Sequence, residues 1–133
     1  MLLVAALGLA MAPARAQEGE RPTFTISIEP PSRVTLGDRG PIVVHVITGP
    51  SAARPVLVTP TSEGPAIEIV QGRFTRADAQ DPDDAVLRFE VPFVARTPGT
   101  SVVRVRAAGF SCDEARCAAH EAEASRAIEV MAR

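Results

Sequence analysis

From Thr23 onward, apolar and polar residues alternate with a period of two. In "TFTISIE", Phe24, Ile26 and Ile28 fall on one face while Thr25 and Ser27 fall on the other, the pattern of a half-buried strand. "PIVVHVIT", Pro41 to Thr48, is apolar on both faces and predicts a central strand of a sandwich. "PVLVT" and "AIEIV" follow, with the turn-forming "PTSEGP" between them. "AVLRFEVPFVA" places Leu87, Phe89, Val91 and Phe93 on one side and Arg88 and Glu90 on the other. Pro92, which lacks an N–H, marks an edge position or a strand end. "TSVVRVRAA" turns Val103 and Val105 inward and Arg104 and Arg106 outward, and "RAIEVMA" supplies a last short strand.

The spacers "EPPS", "LGDRGP", "TGPS", "DPDD" and "RTPGT" separate about seven short strands, and the chain carries 12 prolines. Such punctuation predicts an all-β fold, an immunoglobulin-like antiparallel sandwich, rather than a helical or doubly wound domain. Strong helical propensity is confined to Ser111–Arg126, rich in Ala, Glu and Arg. Its two cysteines therefore fall on a short helical or irregular loop at one end of the sandwich, where such folds usually carry function.

The N-terminal residues have a different pattern. Leu2 to Ala12 is an unbroken apolar run, followed by Pro13 and Ala14-Arg15-Ala16, an A-x-A-like cleavage site. Residues 1–16 read as a signal peptide without a basic n-region, so either the true start lies upstream or the signal is atypical. The run is shorter than the roughly 20 apolar residues that span a bilayer. Cleavage leaves residues 17–133 as a single domain of an exported, periplasmic protein, with no transmembrane span expected in the mature chain.

Composition narrows the function classes. A net charge of −2 gives no electrostatic footprint for nucleic acid, and all 14 basic residues are Arg. Trp and Tyr are absent and Phe numbers 5, so no aromatic platform for sugars or bases is evident. Asp81, Asp83 and Asp84 lack the alternating ligands and closing acid of a calcium loop, which favours a solvated turn. His45, among Val43, Val44, Val46 and Ile47, reads as a satisfied core or edge histidine. No nucleophile elbow, zinc-protease helix or phosphate loop occurs.

The chemistry left is in "FSCDEARCAAH", where Cys112 and Cys117 have four residues between them. Three readings are open. A structural disulfide can form and persist in an exported chain, but so short a loop is worth only about 2 kcal/mol by chain entropy, and it ties no distant strands. A metal site would draw on Cys112, Cys117 and His120 with Asp113 or Glu114, but lacks the second ligand pair of structural zinc. A reactive dithiol is the third. "SCDE" resembles a capping box that would put Cys112 in a first helical turn, where the dipole favours the thiolate. A continuous helix would separate the two by about 7.5 Å of rise, beyond the roughly 7 Å that a disulfide tolerates. If they bond, the segment turns at a hairpin tip, with any helix starting after Cys117.

The run "LRFEVPFVARTPGTSVVRVRAAGFSCDEARCAAH" resembles the N-terminal periplasmic domain of the thiol:disulfide interchange protein DsbD family. In that family one strand leads into another that ends at a closely spaced Cys pair, and a final strand closes the domain. The likeness is best over Leu87–Val130 and weaker over Thr23–Arg76. It implies a thiol–disulfide oxidoreductase with no cofactor, in which Cys112 and Cys117 are the reversible pair. Electrons would come from a membrane-embedded thiol reductant and pass to periplasmic thioredoxin-like or disulfide-isomerase proteins. It also implies an aromatic cap over the pair, for which Phe74 is the first candidate and Phe110 the second, and neighbouring acids, Asp113 and Glu114, that tune the thiols. The chain departs from the family at Phe110-Ser111, where Tyr-Gln is common, and at Ala118-Ala119-His120, where a Pro-rich step is common. The competing expectation is a non-enzymatic exported binding module with a structural disulfide.

Overall fold

A computed structural model describes residues 24–48, 55–112, 115 and 117–133. The predicted signal segment lies outside the described residues. Ten strands follow in order: β1 Thr25–Glu29, β2 Val34–Thr35, β3 Ile42–Ile47, β4 Val56–Glu63, β5 Ile67–Ile69, β6 Phe74–Thr75, β7 Val86–Val91, β8 Phe93–Ala95, β9 Gly99–Cys112 and β10 Cys117–Met131. Among the described residues one 3₁₀ turn, Arg76–Asp78, follows β6.

The strands form two main sheets, one ordered β1-β3-β7 and the other β2-β10-β9-β4-β6, with β5 and β8 paired separately. All pairings are antiparallel except β2 with β10. This is an immunoglobulin-like β-sandwich. The alternation seen in the sequence is its cause. Ile42, Val44 and Val46 of β3 and Leu87, Phe89 and Val91 of β7 turn inward from one sheet, and Val58, Val103, Val105, Ala107, Ile128 and Val130 meet them from the other, all buried. β3 is the central strand of its sheet, yet its outer face is only partly covered. There His45 is half-buried, with Nδ1 3.9 Å from the Glu29 carboxylate.

Prolines punctuate the strands differently from one another. Pro92 divides β7 from β8, so the chain leaves one sheet and pairs with β5, and the Pro92 carbonyl accepts a bond from the Val70 N–H. Pro60 does not end its strand. β4 runs through it to Glu63, because beyond Val58 only β9 pairs with β4 and a missing N–H on the open side is tolerated. The turn after β4 is at Gly64 instead, where φ is +108° and an added Cβ would lie 3.0 Å from the Ser101 hydroxyl. That hydroxyl is buried and accepts the Ile67 N–H at 3.1 Å. Asp81, Asp83 and Asp84 form a turn closed by the Asp84 N–H on the Asp81 carbonyl.

The helix expected within Ser111–Arg126 is not formed. β10 runs from Cys117 to Met131, paired residue for residue with β9. The cause is cross-strand chemistry on the outward face. Glu121 accepts a bond from Arg106 at 2.8 Å, and Glu123 lies 3.6 Å from Arg104, which also meets Glu63 at 2.6 Å. On the inward side Ala122 and Ala124 pack against the core. A helix would spread the same alternating Ala and Glu residues around its axis and lose both sets of contacts.

Candidate functional site

β9 and β10 form a hairpin, and Cys112 and Cys117 occupy the last register position before its loop. Cys112 thus ends one strand and Cys117 opens the next, which continues as a strand where a helix was expected. The ladder with β4 ends at Val56, opposite Gly109, and among the described residues β9 has no partner beyond that point except β10. On its other side β10 meets β2 only at Val130 and Met131. Among the described residues the cysteine row therefore lies three positions beyond the last pairing with β4.

Cys117 is exposed and disulfide-bonded, and the chain holds only one other cysteine, Cys112. Asp113 and Glu114, the expected pKa-tuning acids, lie outside the described residues. His120 is not in phase with Cys117. Its ring faces the other side of the ribbon and packs on Phe24, with centroids 5.8 Å apart. Beneath that ring the ribbon needs Gly109, because a Cβ there would come within 2.6 Å of the Pro55 carbonyl oxygen and 2.9 Å of the Phe24 ring. A ligand set combining His120 with Cys117 would have to reach around the strand. Among the described residues no three His, Cys, Asp or Glu side chains converge on a point that could hold a metal ion.

The two aromatic cap candidates separate. Phe74 is a core residue, 3% exposed, and stands edge-on to Phe89 with centroids 5.8 Å apart. Its strand pairs it with Val58, in the row of Ala107, about 17 Å of strand from Cys112. It is not a cap. The alternation of "GRFTR" places it inward, a signal that a two-residue strand is too short to make plain. Phe110 is 50% exposed and stands opposite Ala119, one same-face step from the cysteine row.

Sequence reasoning missed a groove of about 560 Å³ beside this ribbon. Leu57, Ala108, Phe110 and Ala119 give it apolar walls, and Arg73, Thr75 and Arg76 close it from the β6 side. Burial holds the Arg76 guanidinium below its ordinary value, with the Asp83 carboxylate acting in the opposite direction. Arg76 is fixed by a 2.8 Å bond to the Pro82 carbonyl. The Glu121 carboxylate on the opposite rim is bonded to Arg106, which it holds above the ordinary guanidinium value through that bond and its charge. The groove joins strands distant in sequence, so no local pattern announces it.

No protein-family model matches the chain, and no curated protein matches it. Among solved structures it is similar to AggA, the major subunit of aggregative adherence fimbriae type I from Escherichia coli, at 13% identity and a TM-score of 0.41, covering 88% of this chain and 100% of that one.

Proposed function

We propose that the protein is an exported, periplasmic thiol–disulfide exchange domain whose reversible pair is Cys112 and Cys117, as the resemblance to the DsbD N-terminal domain implies. The observation that carries this reading is the position of the pair: opposed in register at the end of the β9–β10 ladder, three positions beyond the last described pairing with β4, with Cys117 exposed. A partner can reach sulfur there without opening the core. In the reduced form, one thiolate attacks a partner disulfide and expels a partner thiolate. The second cysteine then attacks the resulting mixed disulfide, so two electrons leave this chain and its own disulfide forms. A membrane-embedded thiol reductant would return the pair to the dithiol, and thioredoxin-like or disulfide-isomerase proteins would be the acceptors.

Trapping tests the reading. Cys112→Ser keeps the exposed Cys117 thiol and removes the resolving group. Incubated with an oxidised thioredoxin-fold protein, it should accumulate a mixed disulfide visible by non-reducing electrophoresis, while the Cys112→Ala, Cys117→Ala protein forms none. Absence of an adduct from Cys112→Ser at excess partner and neutral pH would overturn it.

A second reading, an exported binding module with an inert bridge, draws on the same position. At the end of a two-stranded ladder a covalent tie keeps the strands together. On that reading the double alanine variant retains every interaction of the native protein.

A further inference from the structure

The cysteine row and the groove share one face of the ribbon. Along β9 and β10 successive same-face rows are Ala108 with Glu121, Phe110 with Ala119, and Cys112 with Cys117. Leu57 of β4 extends the first of these rows, and Thr75 of β6 extends it further. Neighbouring rows are about 7 Å apart, since each is two residues of strand. A chain laid across Phe110 and Ala119 toward the disulfide would have its next few residues over Leu57 and Ala108.

The charges at the groove are unbalanced. Its titratable side chains on this face are Arg73, Arg76 and Glu121, and the single carboxylate among them is already bonded to Arg106. Arg73 is exposed and has no ion-pair partner among the described residues. The groove therefore presents an apolar floor under a cationic rim.

We infer that this groove reads the residues flanking the reacting cysteine of a partner, and that it selects an extended segment with an aliphatic side chain followed by a carboxylate. The aliphatic group is buried between Leu57, Ala108, Ala119 and Phe110, and the carboxylate meets Arg73. The inference rests on the exchange reading above and names its partner chemistry.

The test uses the reduced full chain and short synthetic peptides, each with one cysteine activated as a mixed disulfide with 2-thiopyridine. A protein thiolate attacks the peptide sulfur and releases pyridine-2-thione, which is followed by absorbance. The second protein cysteine then releases the peptide thiol and closes the Cys112–Cys117 disulfide. A Leu-Asp-flanked cysteine should react about tenfold faster than a Gly-Gly-flanked one and about three- to fivefold faster than a Leu-Lys-flanked one. Arg73→Glu should abolish or invert the Asp-over-Lys preference, and Ala119→Gln should reduce the Leu preference by occupying the floor. Each variant's peptide rates are divided by its own rate with the small reagent 2,2′-dithiodipyridine, which does not fill the groove. Equal rates for all peptides, or a charge preference unchanged in Arg73→Glu, would overturn the groove while leaving exchange standing, provided the small reagent still oxidises the pair. A reduced pair that the small reagent cannot convert to the disulfide would end both.

Discussion

Cys112 faces Cys117 as the last of fourteen consecutive antiparallel pairs, a ladder that starts where Gly99 meets Val130. The ladder's register is set far from the sulfurs, by Val103, Val105 and Ala107 turning inward on β9 and by Ile128 and Val130 on β10. A one-residue slip would expose that whole row. The bridge thus closes a hairpin that the core already aligns.

The first expected outcome follows directly. Replacing both cysteines by alanine should lower the unfolding free energy by no more than about 2 kcal/mol, because the closed loop is short. Urea denaturation of the oxidised native chain and the variant measures it. A loss above about 4 kcal/mol would mean that the bridge holds the fold.

Phe74 and Phe110 should respond in opposite ways. Phe74→Ala opens a core cavity against Phe89 and should cost about 3–5 kcal/mol, with little change in the rate of thiol exchange by the folded fraction. Phe110→Ala, at a half-exposed position, should change stability by less than about 1 kcal/mol and alter the reaction with peptide disulfides. Denaturation and exchange kinetics on the same two proteins separate these effects.

Ser101 is a buried hydroxyl whose task is to satisfy the Ile67 N–H. Ser101→Ala leaves that donor without a partner and should cost about 1–3 kcal/mol. Gly64, packed over the same hydroxyl at positive φ, should tolerate no side chain more easily. Denaturation midpoints of Ser101→Ala and Gly64→Ala check both.

Hydrogen exchange distinguishes a strand from a helix over Ala118–Arg126. Bound to β9 on one side and, among the described residues, without a strand partner on the other before Val130, β10 should show protected and unprotected amides in alternation there. Continuous protection, as in a helix interior, would contradict the fold.

The sandwich was legible because most of its strands carry the period-two signal on large residues: Phe24, Ile26 and Ile28, then Leu87, Phe89, Val91 and Phe93. The ribbon was not. In "AAHEAEASR" the inward positions are Ala118, His120, Ala122, Ala124 and Arg126, too small or too polar to mark an apolar face, and Ala, Glu and Arg each favour a helix locally. What overrides that preference is a set of partners, Arg104 and Arg106, that are local only once β9 lies alongside. Geometry did carry one deduction from sequence: a bonded pair with four residues between excludes a continuous helix through both, and the two cysteines stand opposite each other on antiparallel strands. The short strands β2 and β6 have too few residues for any period to appear, which is why Phe74 was not legible as a core residue and stood as the first cap candidate.

The central claim is that the Cys112–Cys117 bond opens under physiological reductant. Equilibrating the folded protein across a series of glutathione redox buffers, with thiols counted by alkylation and mass spectrometry, measures this most directly. The account predicts a two-electron transition at a potential above about −300 mV, with dithiol and disulfide interconverting in the folded state. A pair that stays fully oxidised below about −300 mV while the sandwich remains folded would mark a structural bridge and contradict it.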